Sequence, residues 1–90
     1  MFSDKCAEII KKKGISSQKR KLVEEGFELI EAVTEMQVSP SRKNLEHIAE
    51  ELADCFVVWT QFAEFYGISW AEIVKIANMK AERTLQRLNQ

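Results

Sequence analysis

Ninety residues, 46% of them hydrophobic and 30% charged, read as one small domain (residues 1–90) of ordinary globular composition, which excludes an intrinsically disordered chain. A lone domain of this size buries only roughly 60% of its unfolded surface, so oligomerisation is expected to complete it. The net charge of −1 hides an acidic centre (−9 over residues 22–74) between basic flanks (+8), which is not the net basic face of a nucleic-acid polymer binder and suits a site that holds metal with one part and polyphosphate with another.

In chain order, Ser3 is placed to cap a short first helix that ends in Lys11-Lys12-Lys13, where cations complement the helix dipole, with Gly14 just beyond. No secretory signal is expected at Met1-Phe2-Ser3-Asp4, because no apolar core follows it, and a cytoplasmic location is expected. Ser16 or Ser17 starts a second helix running to about Val38, and Ser39-Pro40-Ser41 is the turn after it. At 100° per residue this helix gathers Leu22, Val23, Gly26, Phe27, Leu29, Ile30 and Val33 on one apolar face, with Glu25 at its edge and Glu28 just past it. A third helix is expected from about Arg42 to Tyr66, stopping at Gly67.

Leu45, Ile48, Ala49, Leu52, Phe56, Trp59 and Ala63 form the expected core stripe of that third helix. Val57, Val58 and Phe65 fall on its other side, with Glu51 and Asp54, so the helix is apolar nearly all round and its second face is expected to be buried only against another subunit. Its longest nearly apolar run, Cys55 to Ala63, is too short to span a bilayer, so no membrane is expected as a partner. Ser69-Trp70-Ala71-Glu72 is a capping box opening a fourth helix, with Trp70, Ile73, Val74, Ala77, Ala81, Leu85 and Leu88 on one stripe. Beside that stripe runs a basic row, Lys80, Arg83 and Arg87, which on spacing alone reads as a solvated edge. Trp59 and Trp70 read as core rather than as base-stacking platforms. Cys6 and Cys55 lack metal-ligand spacing and read as reduced structural thiols, and His47 is alone, which argues against a histidine-built metal site or triad. The fold class is all-α, a bundle of about four helices completed by oligomerisation.

Two acidic motifs stand out, Glu24-Glu25-Gly26-Phe27-Glu28 and Glu50-Glu51-Leu52-Ala53-Asp54. In each, the second and last acids are one helical turn apart, where like charges cost a few tenths of a kcal/mol per pair. Either motif alone is better read as a solvated acidic surface. The matched pair points to a compensating cation, and all-oxygen ligand sets are what Mg²⁺, Mn²⁺ and Ca²⁺ prefer.

The arrangement K-x-x-E-E-x-x-E, a linker, then E-E-x-x-D, written here by Lys21, Glu24, Glu25, Glu28, Glu50, Glu51 and Asp54, resembles the signature of the all-α nucleoside triphosphate pyrophosphohydrolases, the MazG-like group. Asn78-Met79-Lys80-Ala81-Glu82-Arg83 is similar to that group's N-x-K-x-x-R element, and the resemblance covers roughly residues 18 to 88. It implies hydrolysis of an NTP or dNTP to monophosphate and pyrophosphate, with Mg²⁺ (or Mn²⁺) held by Glu25, Glu28, Glu51 and Asp54, in a homodimer or homotetramer. It further implies that Lys80 and Arg83 contact phosphate in binding and catalysis, that Asn78 contacts the nucleotide together with Lys21, and that Glu24 and Glu50 place water or support the ligands from behind. The choice among Glu24, Glu50 and Glu51 as acceptor of the water's proton stays open. Phosphoribosyl-ATP pyrophosphatases share the paired acids, and Gly67-Ile68-Ser69 looks like their end, but such chains stop soon afterwards. Dimeric dUTPases are longer and carry further acidic motifs. A non-catalytic helical interaction module, motivated by the apolar second face of the third helix, is the other alternative.

Overall fold

The computed structural model describes residues 1–90 and contains four α-helices and no strand: α1 Phe2–Lys13, α2 Ile15–Val38, α3 Arg42–Phe65 and α4 Trp70–Leu88. No helix is long and apolar enough to cross a membrane.

The helix ends follow local chemistry. Ser3 is not a cap, because α1 begins one residue earlier, at Phe2, behind Met1, and Ser3 lies in its first turn. Ser16 and Ser17 likewise lie inside α2, which starts at Ile15. One residue separates α1 from α2: Gly14, at φ 90 and ψ 152, a conformation that disfavours a Cβ, reverses the chain without a loop. Ser41 caps α3 by accepting from the backbone N–H of Asn44 at 3.0 Å, and the Asn44 side chain donates back to the Ser39 carbonyl at 2.8 Å, which pins the turn. At the other end of α3, Gly67 has φ 66, its N–H reaches Glu64 O at 3.2 Å, and Ile68 N–H reaches Ala63 O at 2.9 Å. That pair of bonds is the Schellman arrangement, with glycine in the left-handed position. Ser69 accepts from the Glu72 N–H at 3.2 Å, as the capping-box pattern requires.

The short 39–41 turn makes α2 and α3 an antiparallel pair of 24 residues each, and α1 lies across α3. Ala7 and Ile10 share a cavity with Glu64 and Phe65, and Ile9 shares a cleft with Val57 and Val58. The interior is small. Eleven of 90 residues are buried, six apolar (Cys6, Ile10, Ala32, Cys55, Val58, Ala63) and five polar (Gln18, Glu25, Glu51, Thr60, Gln61). The two glutamines partner each other, Gln18 Nε2 donating to Gln61 Oε1 at 2.7 Å. Both cysteines are free and buried.

Helix α4 buries none of its residues. Its anchor is the first turn, where Trp70 Nε1 donates to Thr60 Oγ1 at 3.2 Å and the indole stacks on Phe56 at 5.1 Å, with Phe56 in turn stacked on Phe2 at 5.2 Å.

The packing corrects the expected faces of α2 and α3. Val23, Phe27 and Ile30 on α2 are exposed, as are Leu45, Leu52, Phe56 and Trp59 on α3, although all were expected in the core. Val58, expected to be covered only by another subunit, is 2% exposed within the single chain, while Phe65 remains open. The reason is that α1 and α2 both pack on the side of α3 centred on Cys55. That turns Glu51 and Val58 inward and leaves the Leu45–Leu52–Trp59 stripe uncovered.

Candidate functional site

The same rotation of α2 and α3 brings the acidic motifs together. Glu25 and Glu28 on α2 and Glu51 and Asp54 on α3 each offer one carboxylate oxygen, and these oxygens all lie within 4.8 Å of one another. The antiparallel pairing produces this meeting, since each motif repeats at one turn and both lie on the same flank of the helix pair. Glu25 and Glu51 are buried at 3% and 8% exposure, whereas Glu28 and Asp54 open to solvent.

Each buried carboxylate has one oxygen engaged and one bare. Glu25 Oε1 is 3.0 Å from Lys21 Nζ, and Glu51 Oε1 is 3.2 Å from His47 Nε2. Glu25 Oε2 and Glu51 Oε2 are buried with no hydrogen-bond partner. A buried, unpaired carboxylate oxygen is costly, and four converging acids make it more so. The strain shows in the protonation preferences. Glu25 beside Glu28, then loss of solvation and Glu51, push the Glu28 carboxyl above its ordinary range. Loss of solvation, then Glu25 and Glu51, push Asp54 up, although Lys21 opposes this. The hydrogen bond to Glu25 raises Lys21, keeping it an ammonium. Burial, helped by Glu25, raises the Cys55 thiol, so it stays protonated and faces the Glu25 backbone carbonyl at 3.5 Å. Two bare buried oxygens plus two exposed carboxylates form a hard, all-oxygen donor set of the kind that fits Mg²⁺ or Mn²⁺.

Around the cluster lies a cleft of about 620 Å³ whose wall joins acids to bases: Lys13, Arg20 and Lys21 face Glu24, Glu25, Glu28 and Asp54. Nothing in the sequence spacing ties Lys13, at the end of α1, to the acidic motifs, and the single-residue Gly14 connection brings it there; Arg20 lies on α2 itself, one turn before Glu24, where helical spacing already points to the motif. Of the other residues singled out in the sequence, Glu24 lines this cleft and sits 3.9 Å from Lys21. Glu50 instead lines a neighbouring polar cavity at the α2–α3 turn, with Glu35 and His47. On α4, Asn78 is exposed, and Lys80 and Arg83 line a separate shallow cavity with Thr84 and Arg87.

Residues 13–87 match the family model described as the MazG nucleotide pyrophosphohydrolase domain. No curated protein matches the chain. No solved structure matches it either.

Proposed function

Because the chain belongs to the MazG nucleotide pyrophosphohydrolase family, we propose that it hydrolyses a nucleoside or deoxynucleoside triphosphate to the monophosphate and pyrophosphate in a reaction that depends on Mg²⁺. The observation that carries this reading is the four-carboxylate cluster, with its two bare buried oxygens, three of whose members (Glu25, Glu28 and Asp54) line one cleft with Lys13, Arg20 and Lys21. A divalent cation held by Glu25, Glu28, Glu51 and Asp54 would supply positive charge against the phosphate oxygens.

The chain's own residues supply the rest. Lys13 and Arg20 stand on the cleft wall where a polyphosphate tail adds negative charge, and an Arg fork suits a phosphoryl group. Lys21, spent largely on Glu25, holds that carboxylate in place and adds charge to the same wall. Hydrolysis of the anhydride consumes one water, whose proton passes to a carboxylate while pyrophosphate leaves. Glu24 is the better acceptor than Glu50, because Glu24 lines the cleft and Glu50 the neighbouring cavity. In this reading Lys80, Arg83 and Asn78 also contact the nucleotide. Within one chain they lie outside the cleft, so they do so from α4 of another copy in a homodimer or homotetramer.

Incubation with Mg²⁺ and each NTP and dNTP in turn tests the reaction. Equal release of monophosphate and pyrophosphate with at least one nucleotide, abolished by a chelator, is expected. Inorganic phosphate as the only product, or no turnover with any nucleotide, overturns it.

A further inference from the structure

We propose that His47 is a positioning residue for Glu51: it fixes which of the two Glu51 oxygens faces the acidic cluster, as Lys21 does for Glu25. The inference rests on the reading of the cluster as a cation site, and on a correspondence between the two helices. Lys21 is four residues before Glu25 on α2, and His47 is four residues before Glu51 on α3, so each stacks one turn from its carboxylate. Each holds Oε1, at 3.0 and 3.2 Å respectively. In both cases Oε2 is the oxygen left buried and without a partner. The two carboxylates so held are the two buried members of the four.

His47 is not itself among the four grouped ligands. Its Nε2 faces a carboxylate oxygen, which only accepts, so that nitrogen carries a proton and donates. On the far side of the ring Nδ1 lies 3.8 Å from Glu35 Oε2 on α2, near it but beyond hydrogen-bond distance. The imidazole thus sits between α2 and α3 behind the cluster. The hydrogen bond at Nε2 engages Glu51 Oε1 and so leaves Oε2 as the free oxygen. Groups that orient ligand carboxylates from behind in this way typically change metal affinity when removed, by about 10- to 100-fold. A purely structural ion pair at the half-exposed His47 would act on stability instead.

The test titrates Mn²⁺ alone into the full chain, with binding read by electron paramagnetic resonance and the metal-free melting temperature measured beside it. His47→Leu, and His47→Asn, whose amide is too short to reach Glu51, are expected to weaken Mn²⁺ binding about tenfold or more with little change in metal-free melting. His47→Gln keeps a donor of sufficient reach and is expected to stay within about threefold of the unmodified chain. Should His47→Leu fail to fold, His47→Asn carries the same comparison. Unchanged binding in the Leu or Asn variant, or a Gln variant as weak as the Leu variant, overturns the positioning role while leaving the cation site standing. No Mn²⁺ binding by the unmodified chain overturns both.

Discussion

Glu25 and Glu51 occupy positions where carboxylates are rarely found, since Glu is almost never fully buried unless paired. Each is paired at only one of its two oxygens, and the exposed carboxyls beside them hold their protons more tightly than usual, Glu28 chiefly through the charge of Glu25 and Asp54 chiefly through loss of solvation. A carboxyl raised in the folded state binds its proton more tightly there than in the unfolded chain, so protonation favours folding. Its contribution is fully present below the ordinary values of 3.8 for Asp54 and 4.5 for Glu28, and is lost as the pH rises through their raised folded values. Metal-free thermal melting followed upward from acid pH should therefore show falling stability across that window. Saturating Mg²⁺ should remove the fall, because the cation binds the ionised form; a metal-free stability that rises throughout contradicts the account. Each acidic pair is legible in the sequence, because one-turn spacing is local, whereas the meeting of the two pairs depends on the antiparallel packing of α2 and α3. The place of Lys13 is not legible, since it depends on how α1 turns into α2; Arg20 before Glu24 and His47 before Glu51 both follow from one-turn spacing, as Lys21 before Glu25 does, although His47 has no histidine or cysteine companion to mark it.

Among the elements, the glycines end helices as the sequence suggested, Gly14 and Gly67 both at positive φ, and Ser69 caps α4; Ser3, Ser16 and Ser17 lie inside helices instead, and Ser41, expected only in the turn, caps α3. The faces were less legible. α3 is apolar nearly all round, so its periodicity does not say which side its own chain covers and which it leaves open. The tertiary placement of α1 decides it, burying Val58 and exposing Leu52, Phe56 and Trp59. Val58→Ala should accordingly destabilise the chain by about 1.5–3 kcal/mol, measured by urea unfolding, as removal of fully buried methyl groups does. A loss below about 0.5 kcal/mol, the usual surface effect, would place Val58 outside the core.

The whole molecule is open for its size. Its radius of gyration is 15.6 Å, against about 12 Å for a compact domain of 90 residues. The excess comes with an α4 that buries nothing and with Leu45, Leu52, Phe56 and Trp59 of α3 and Ile30 and Val33 of α2 all exposed. Leu45, Leu52, Phe56 and Trp59 recur along one side of α3, and an exposed apolar stripe of that kind marks an interaction face. A homo-oligomer of the proposed kind would be expected to cover that face rather than Val58, which is already buried within the chain. Leu52→Asp should dissociate it, seen as a halved or quartered mass by light scattering, while helicity at high protein concentration is largely kept. An unmodified chain that is monomeric at every concentration and still melts cooperatively at high temperature contradicts this.

If Glu25, Glu28, Glu51 and Asp54 act as one cation site on which hydrolysis depends, Asp54→Asn should disable both binding and turnover. The substitution removes one charge without changing side-chain shape. Mg²⁺ affinity, by calorimetric titration, and pyrophosphate release should fall together by orders of magnitude, while metal-free stability holds or rises as the crowded carboxylates lose one repelling member. Full activity and unchanged Mg²⁺ affinity in Asp54→Asn would contradict the account.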